Sequence, residues 1–325
     1  MEPGFLRRAK VKSALSRRNY VEYSNRFRTF ANEQGFQIPA DGHSVELDAG
    51  LEKFCEKEAL EGNGIFASRM AVYGEAWRRG LNLRLPKTLA LSRAALTGWA
   101  NAVPGNSRDP LPWICACDMA AWLLQQKTPV HIQSAKCLLI SFDTYVRPGV
   151  SVDLCDFNLV LPNRGVKAAY DKTALILCPS SEGSKTTKTG ERDDTIIVGV
   201  HPDRKFVGKI VQQLGQETQQ RGGGRLFPNL ALKAYEKSLR EAGKACGYSF
   251  KVCPHMARHG GPSTDRFEEK LTLEEIQKRG MWNSFNSVMR YEKHGRLLKV
   301  LKTLSPAALL RAQKAATDLQ KTFRI

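Results

Sequence analysis

The sequence predicts a mainly α protein of the α+β kind: an amino-terminal helical bundle, then a larger helical domain carrying one small β-hairpin. Three observations lead there. Apolar residues recur at helical spacing through most of the chain. Only Leu175-Ile176-Leu177 and Thr195-Ile196-Ile197-Val198 read as strands, and the polar turn between them makes a hairpin. Finally, Ala102-Val103-Pro104-Gly105-Asn106-Ser107-Arg108-Asp109-Pro110 has linker composition and separates two groups of helices.

In the first group, Tyr20, Tyr23, Phe27 and Phe30 form one stripe that ends before Gly35. Leu47, Leu51, Phe54 and Leu60 form a second, closed by Gly62-Asn63-Gly64. Ile65, Met70, Tyr73 and Trp77 form a third, and Leu85 to Trp99 a fourth. These stripes are the stuff of a core rather than of a nucleic-acid platform. The second group starts near Leu111. Helices are expected over 112–127 and 130–146, then a loop-rich stretch to about residue 172 and the hairpin. Further helices follow at 203–220, 229–245, 256–268, 272–279, 284–302 and 305–321. Arg221-Gly222-Gly223-Gly224-Arg225 is a basic loop between two of them. The domains are thus placed at 1–106 and 107–325.

The chain has 325 residues, enough for two domains and a well-buried core. Fifty Lys and Arg against 32 Asp and Glu leave a net charge of +18. That balance favours a polyanionic partner, because surface cations attract phosphate and release its counterions. Arg26, Arg28, Arg69, Arg78, Arg79, Arg84, Lys87 and Arg93, beside the aromatic stripes, are the candidates for phosphate contact in the first domain. The basic run from Arg7 to Arg18 suits a nuclear signal or a nucleic-acid arm equally. No apolar run approaches the roughly 18 residues of a membrane span, and no apolar signal core follows the amino-terminal charges. The expectation is an intracellular, reducing compartment (the nucleus in a eukaryote, otherwise nucleoid or cytoplasm) and no membrane partner. Eight cysteines without a C-x-x-C pair fit reduced thiols. Zinc ligands could be drawn from Cys246, Cys253, His255 and His259, but their spacings match no common finger.

The chemistry concentrates in the last quarter. His255 and Arg258 lie three apart in Pro254-His255-Met256-Ala257-Arg258-His259-Gly260. Gly280-Met281-Trp282 follows, and Tyr291 stands nine residues after the tryptophan. Upstream, Arg147 closes an apolar run in Ser141-Phe142-Asp143-Thr144-Tyr145-Val146-Arg147-Pro148-Gly149. Between them, Lys185 and Lys188 fall in the polar turn of the hairpin. Each motif is short. Their order (Arg, Lys, His-x-x-Arg, Trp, Tyr) resembles the catalytic set of the tyrosine recombinases, the family of phage integrases, Cre and the Xer proteins. The resemblance is most specific over about 130–300.

The resemblance implies a core-binding, SAM-like amino-terminal bundle and a catalytic domain clamped around double-stranded DNA. It implies strand cleavage and rejoining through a 3′-phosphotyrosyl link, with no metal or nucleotide cofactor, in a homo-tetramer on DNA. Tyr291 would be the nucleophile, in a setting that looks helical. A free phenol, with a pKa near 10, is weak at neutral pH and gains from cationic neighbours. Arg147 and Arg258 would clamp the phosphate, since guanidinium stays charged and offers a planar fork to two oxygens. His255, one helical turn from Arg258, would accept a proton or bind the phosphate. Trp282 stands where many members carry histidine, and its indole N–H can donate to a phosphate oxygen. Lys188 would protonate the leaving oxygen, with Lys185 as the alternative and as a DNA contact beside Arg78, Arg79, Arg84, Lys87 and Arg93.

One departure stands out. Most members follow the first arginine with Arg-x-x-Glu or Arg-x-x-Asp, and here the run is Arg147-Pro148-Gly149-Val150, with Asp153 as a possible substitute. The departure motivates an alternative, a domesticated DNA-binding remnant of a mobile element. A type IB topoisomerase shares the arginine and tyrosine chemistry, and a helical RNA-binding module is a further alternative without a recognisable motif. The segment Ser305–Phe323 is amphipathic through Leu309, Ala312, Ala316, Leu319 and Phe323, fit to dock on a neighbouring protomer or on its own domain.

Overall fold

A computed structural model describes residues 14–103, 108–162, 172–177, 194–282, 284–291 and 293–323. The chain divides into two compact units, Met1–Ser107 and Arg108–Ile325.

The first unit contains four helices among its described residues: α1 (Ala14–Glu33), α2 (Val45–Leu60), α3 (Phe66–Arg78) and α4 (Ala90–Ala102). Phe27, Phe30, Leu47, Leu51, Phe54, Val72 and Leu96 form its core. The ring of Phe27 meets Phe54 edge-on at 5.9 Å. Gly74 lets α3 close on α1, because a Cβ there would stand 2.7 Å from the Tyr20 carbonyl oxygen. The Asp48 carboxylate of α2 accepts from the first amides of α4, Leu91 N at 2.9 Å and Ser92 N at 3.0 Å. An anion there answers both the orphan amides and the dipole of α4.

Two expectations shift in this unit. The third stripe is not the buried one: α3 buries Ala67, Ser68, Ala71, Val72, Gly74, Glu75 and Ala76, leaving Tyr73 exposed. Small residues win that face because α1 approaches too closely for large ones. The fourth helix starts at Ala90, since Arg84 to Leu89 form turns and Leu89 takes a left-handed conformation (φ 49°).

The second unit begins with α5 (Trp113–Gln125) and α6 (Pro129–Thr144), an antiparallel pair whose Cys115, Met119, Leu123, Leu138, Leu139 and Phe142 lie in the larger core. Thr128 caps α6, accepting from His131 N, and Pro129 opens it. A short helix, α7 (Pro148–Val152), follows. A three-stranded antiparallel sheet comes next, with β1 (Leu159–Val160), β2 (Ala174–Leu177) and β3 (Asp194–Ile197) in that order. Leu175 pairs with Leu159 on one side and Ile196 on the other. β1 is too short to carry a periodic signal, and the sequence reading missed it.

Then come α8 (Lys205–Gln220), α9 (Leu232–Ala245), α10 (His255–Phe267), α11 (Leu273–Arg279), α12 (Phe285–Met289), α13 (His294–Lys302) and α14 (Pro306–Thr322). The helix expected over 284–302 is thus two, broken around Tyr291. The Tyr291 carbonyl accepts from Ser263 Oγ of α10, and its amide makes a tight turn with the Val288 carbonyl at 2.7 Å. A tertiary hydrogen bond outbids local helix propensity there. α14 packs on α5 of its own chain: Ala312 and Leu319 are buried, and Phe323 stacks on Phe206 at 6.0 Å. Arg311 fixes it to the Asp118 carboxylate (3.0 Å) and to the Cys246 carbonyl (2.6 Å).

α10 crosses α6 at very close range. A Cβ on Gly260 would lie 2.1 Å from the Leu111 carbonyl oxygen, and one on Gly261 2.2 Å from that of Phe142. Those two glycines set the depth at which Arg258 and His259 sit.

Candidate active site

Above the crossing, Tyr145, Ile276, Trp282 and Val288 form a small apolar cluster of their own, with Tyr291 packed against it. Arg258 enters this cluster from α10. Its side chain is almost wholly buried, 2% exposed. One amino group donates to the Tyr145 carbonyl and the other to the Gly280 carbonyl at 3.0 Å. These are the end residues of α6 and α11, where helix carbonyls lack partners and the dipole is negative. The guanidinium therefore has acceptors for its N–H groups, but no carboxylate among the described residues neutralises its charge. Burial and the like charge of Arg147 lower its pKa, while the Tyr291 phenol opposes the shift.

The rings form a layered stack. Trp282 lies on Tyr291 with centroids 4.3 Å apart, and His259 covers the phenol at 4.5 Å. Tyr145 stacks on Trp282 at 6.3 Å. Arg258 stands 5.0 Å from the Trp282 centroid and 5.6 Å from that of Tyr291, within cation–π range. The Trp282 indole Nε1 is buried and has no hydrogen-bond partner among the described residues, and the same holds for His259 Nδ1. A buried donor without an acceptor costs free energy, on the order of 1–3 kcal/mol, which a bound acceptor would recover.

His255, at the first position of α10, keeps its ring open to solvent. What cover it has, and then Arg108, Arg258 and Arg147, lower its pKa below the ordinary 6.5. His259 is lowered further, to about 3, by burial and then by Lys293, His255, Arg108 and Arg258. Both imidazoles are neutral at neutral pH. Lys293 is lowered to about 8 by burial and by Arg296 and Arg108, and its Nζ donates to the Arg108 carbonyl at 2.6 Å.

Five of the six sequence-nominated residues are therefore placed. Arg258, Trp282 and Tyr291 are in mutual contact, the charge of Arg147 bears on Arg258, and both arginines bear on His255. Arg147 precedes α7 as its N-cap and has no ion-pair partner among the described residues. Lys185 and Lys188 lie outside the described residues. Asp153 does not replace the acid missing at Val150: it is exposed and takes Arg225 Nη2 at 2.7 Å.

Three neighbours escaped the sequence reading. His259 is a second imidazole whose ring contact the H-x-x-R spacing does not signal. Arg108 belongs to a segment read as linker; the Leu111 amide ties that segment to the Met256 carbonyl of α10 at 3.0 Å. Lys293 sits two residues after Tyr291, beyond the helix break. Cys246, Cys253, His255 and His259 form no metal-binding group among the described residues.

In the first unit, the proposed phosphate contacts divide. The Arg79 side chain is buried on Glu75 (2.8 Å) and donates to the Pro39 and Gly42 carbonyls. Arg93 donates to the Leu85 and Thr88 carbonyls, closing the turn before α4. Arg78, Arg84 and Lys87 are exposed.

No protein-family model matches the chain, and no curated protein does. Solved structures are similar to it, among them three recombinases. A XerH site-specific recombinase bound to a palindromic difH substrate, in a post-cleavage complex, has a TM-score of 0.48 at 12% identity over 88% of this chain and 95% of that one. A XerH pre-cleavage complex with difH has a TM-score of 0.46 at 14% identity over 88% and 96%. A XerA recombinase has 0.39 at 15% identity over 98% and 94%.

Proposed function

We propose that the protein is a site-specific DNA recombinase that cuts and rejoins strands through Tyr291. The phenol oxygen attacks a backbone phosphorus, its proton passing to His255 or to water. The bond from phosphorus to the 5′ oxygen breaks, and that oxygen takes a proton from Lys188 or Lys185. The 3′-phosphate stays on Tyr291 until a 5′ hydroxyl of another strand attacks it and the steps reverse. Arg258 and Arg147 hold the non-bridging oxygens, and Trp282 Nε1 donates to one of them. Pre-placed charge of this kind is usually the largest catalytic contribution. In this reading the first unit is the second jaw of a DNA clamp, and four protomers act together. The α14 seat on α5 is then the state of a lone chain, exchanged for a neighbour's in the tetramer.

One observation carries the proposal. A buried arginine, uncompensated by carboxylate, lies against a tyrosine and a tryptophan whose N–H has no acceptor. A structural arginine would have acquired an acid, as its neighbours in the core have. The test incubates the protein with a library of nicked random-sequence duplexes and isolates detergent-stable protein–DNA complexes. Wild type should yield DNA joined to Tyr291, and Tyr291→Phe should bind DNA but yield none. Undiminished adduct from the variant discards Tyr291.

The Val150 departure, together with the engagement of Asp153 by Arg225, favours a second reading, a DNA-binding remnant without cleavage. It predicts salt-dependent duplex binding by wild type and no covalent complex.

A further inference from the structure

Below the arginine and the ring stack lies a buried ionic group that the proposed chemistry does not use. Asp265 of α10 accepts from both amino groups of Arg204, one at 3.1 Å, and from the Tyr145 hydroxyl, and His201 Nε2 stands 3.4 Å away. Asp143 accepts from Arg279 (3.1 Å) and from the Gly199 amide (2.8 Å), with Arg204 3.9 Å from its other oxygen. Two acids and two arginines thus balance in a site where Arg204, Asp265 and Asp143 are wholly buried. The guanidinium of Arg204 further lies against both Trp113 and Phe142, 5.4 and 5.2 Å from their centroids.

This group touches the proposed site at one residue. Tyr145 is buried, ends α6, and has φ +58°, a conformation a bulky side chain rarely adopts. Its hydroxyl is fixed on Asp265, its ring lies under Arg279 at 5.4 Å and against Trp282 at 6.3 Å, and its carbonyl receives Arg258. The left-handed turn aims that carbonyl. Both groups the proposed chemistry would bring to a phosphate, a guanidinium and an indole N–H, rest on one tyrosine whose far end is anchored to a buried carboxylate.

We propose that Asp265, held by Arg204, is a positioning residue that acts through Tyr145 to fix Arg258 and Trp282 for phosphate binding. The inference rests on the recombinase reading for its catalytic consequence, though not for its geometry. It places an acid on α10 behind the site, where the run Arg147-Pro148-Gly149-Val150 carries none. Other buried carboxylates serve differently: Asp118 holds α14 through Arg311, and Glu58 and Glu75 tie helices of the first unit together.

Tyr145→Phe removes the anchoring hydroxyl and leaves the ring. Tyr235→Phe removes a buried hydroxyl that makes no hydrogen bond to the group and serves as control. The first measurement needs no DNA cleavage. In arginine-labelled protein, the Arg258 side-chain N–H signals (identified by their absence in Arg258→Lys) should be ring-shifted and slow to exchange with solvent. Tyr145→Phe should lose that protection at least tenfold, and Tyr235→Phe should keep it. Asp265→Asn should match Tyr145→Phe if it folds. Unchanged Arg258 signals in Tyr145→Phe overturn the proposal. The second measurement compares covalent-complex formation on nicked duplexes with a phosphodiester or a neutral methylphosphonate at the cut. Tyr145→Phe should slow the phosphodiester reaction about tenfold or more at saturating DNA, with unchanged binding, and the defect should shrink on the neutral linkage, which needs less from Arg258. An equal defect on both contradicts an action through Arg258. Lost Arg258 protection in a protein whose wild type forms no adduct keeps the positioning role and removes the recombinase reading.

Discussion

The first unit and the proposed site in the second use arginine in opposite ways. In the first, Arg28 and Arg79 converge on Glu75, and Arg26 on Glu58, each carboxylate fully buried. Burial would push the Glu75 pKa up, yet hydrogen bonds from both arginines outweigh it and lower the value. Their charge goes into tying α1 to α2 and α3 and closing the end of α3 on the Pro39–Gly42 turn. In the second unit, Arg258 is buried more deeply than Arg26 or Arg28 but bound by two carbonyls, which satisfy its N–H groups and leave its charge intact. Composition counts all these arginines alike in the net +18. Only the partner tells whether a guanidinium is glue or is still available to an anion.

The sharpest way to break this contrast is Arg258→Lys. It keeps the charge but loses the fork. Covalent-complex formation should fall about 10² to 10³-fold, as for one lost donor at a developing charge, with duplex binding reduced far less. Similar rates for both proteins would make Arg258 structural. Glu75→Gln probes the other side. It leaves two arginines facing a neutral amide in a buried site, and breaking such a pair costs about 3–5 kcal/mol. Thermal unfolding of the first unit should move accordingly, while the Arg258 signals of the second stay unchanged. A Glu75→Gln protein as stable as wild type would show that the pair adds nothing.

The smallest effect concerns pH. Lys293 has a pKa of about 8 in the folded chain, below the 10.5 of a free lysine. The unfolded state therefore binds more protons between those values, and the Lys293 contribution to stability rises as pH rises through that window. Duplex affinity should move the other way, because one positive charge near the site disappears above pH 8. Lys293→Arg should abolish that alkaline decline and leave the salt slope at pH 7 unchanged. An identical decline in the variant assigns it to another group.

Much of the layout was legible in the sequence, because helical periodicity and a Pro/Gly linker are local signals. The α5–α6 pair and the β2–β3 pairing needed nothing more. The break at Tyr291 did not show, since Val288-Met289-Arg290-Tyr291 carries a helical pattern and the Ser263 bond that interrupts it comes from a residue 28 positions away. For the same reason His259, Arg108 and the Asp265–Arg204–Tyr145 group stayed hidden. Their importance comes from what α10 crosses, and two glycines rather than any charged motif set that crossing. Arg79 and Arg93 read as surface charges because sequence shows a cation without showing the carboxylate or carbonyls that claim it.

The central claim is most directly tested by peptide mapping of the detergent-stable complex formed on the nicked-duplex library. The account predicts a single modified peptide, containing Tyr291 esterified to a 3′-phosphate, and its disappearance in Tyr291→Phe. A protein that binds these duplexes tightly yet leaves every tyrosine unmodified, or carries the DNA on another residue, would contradict it.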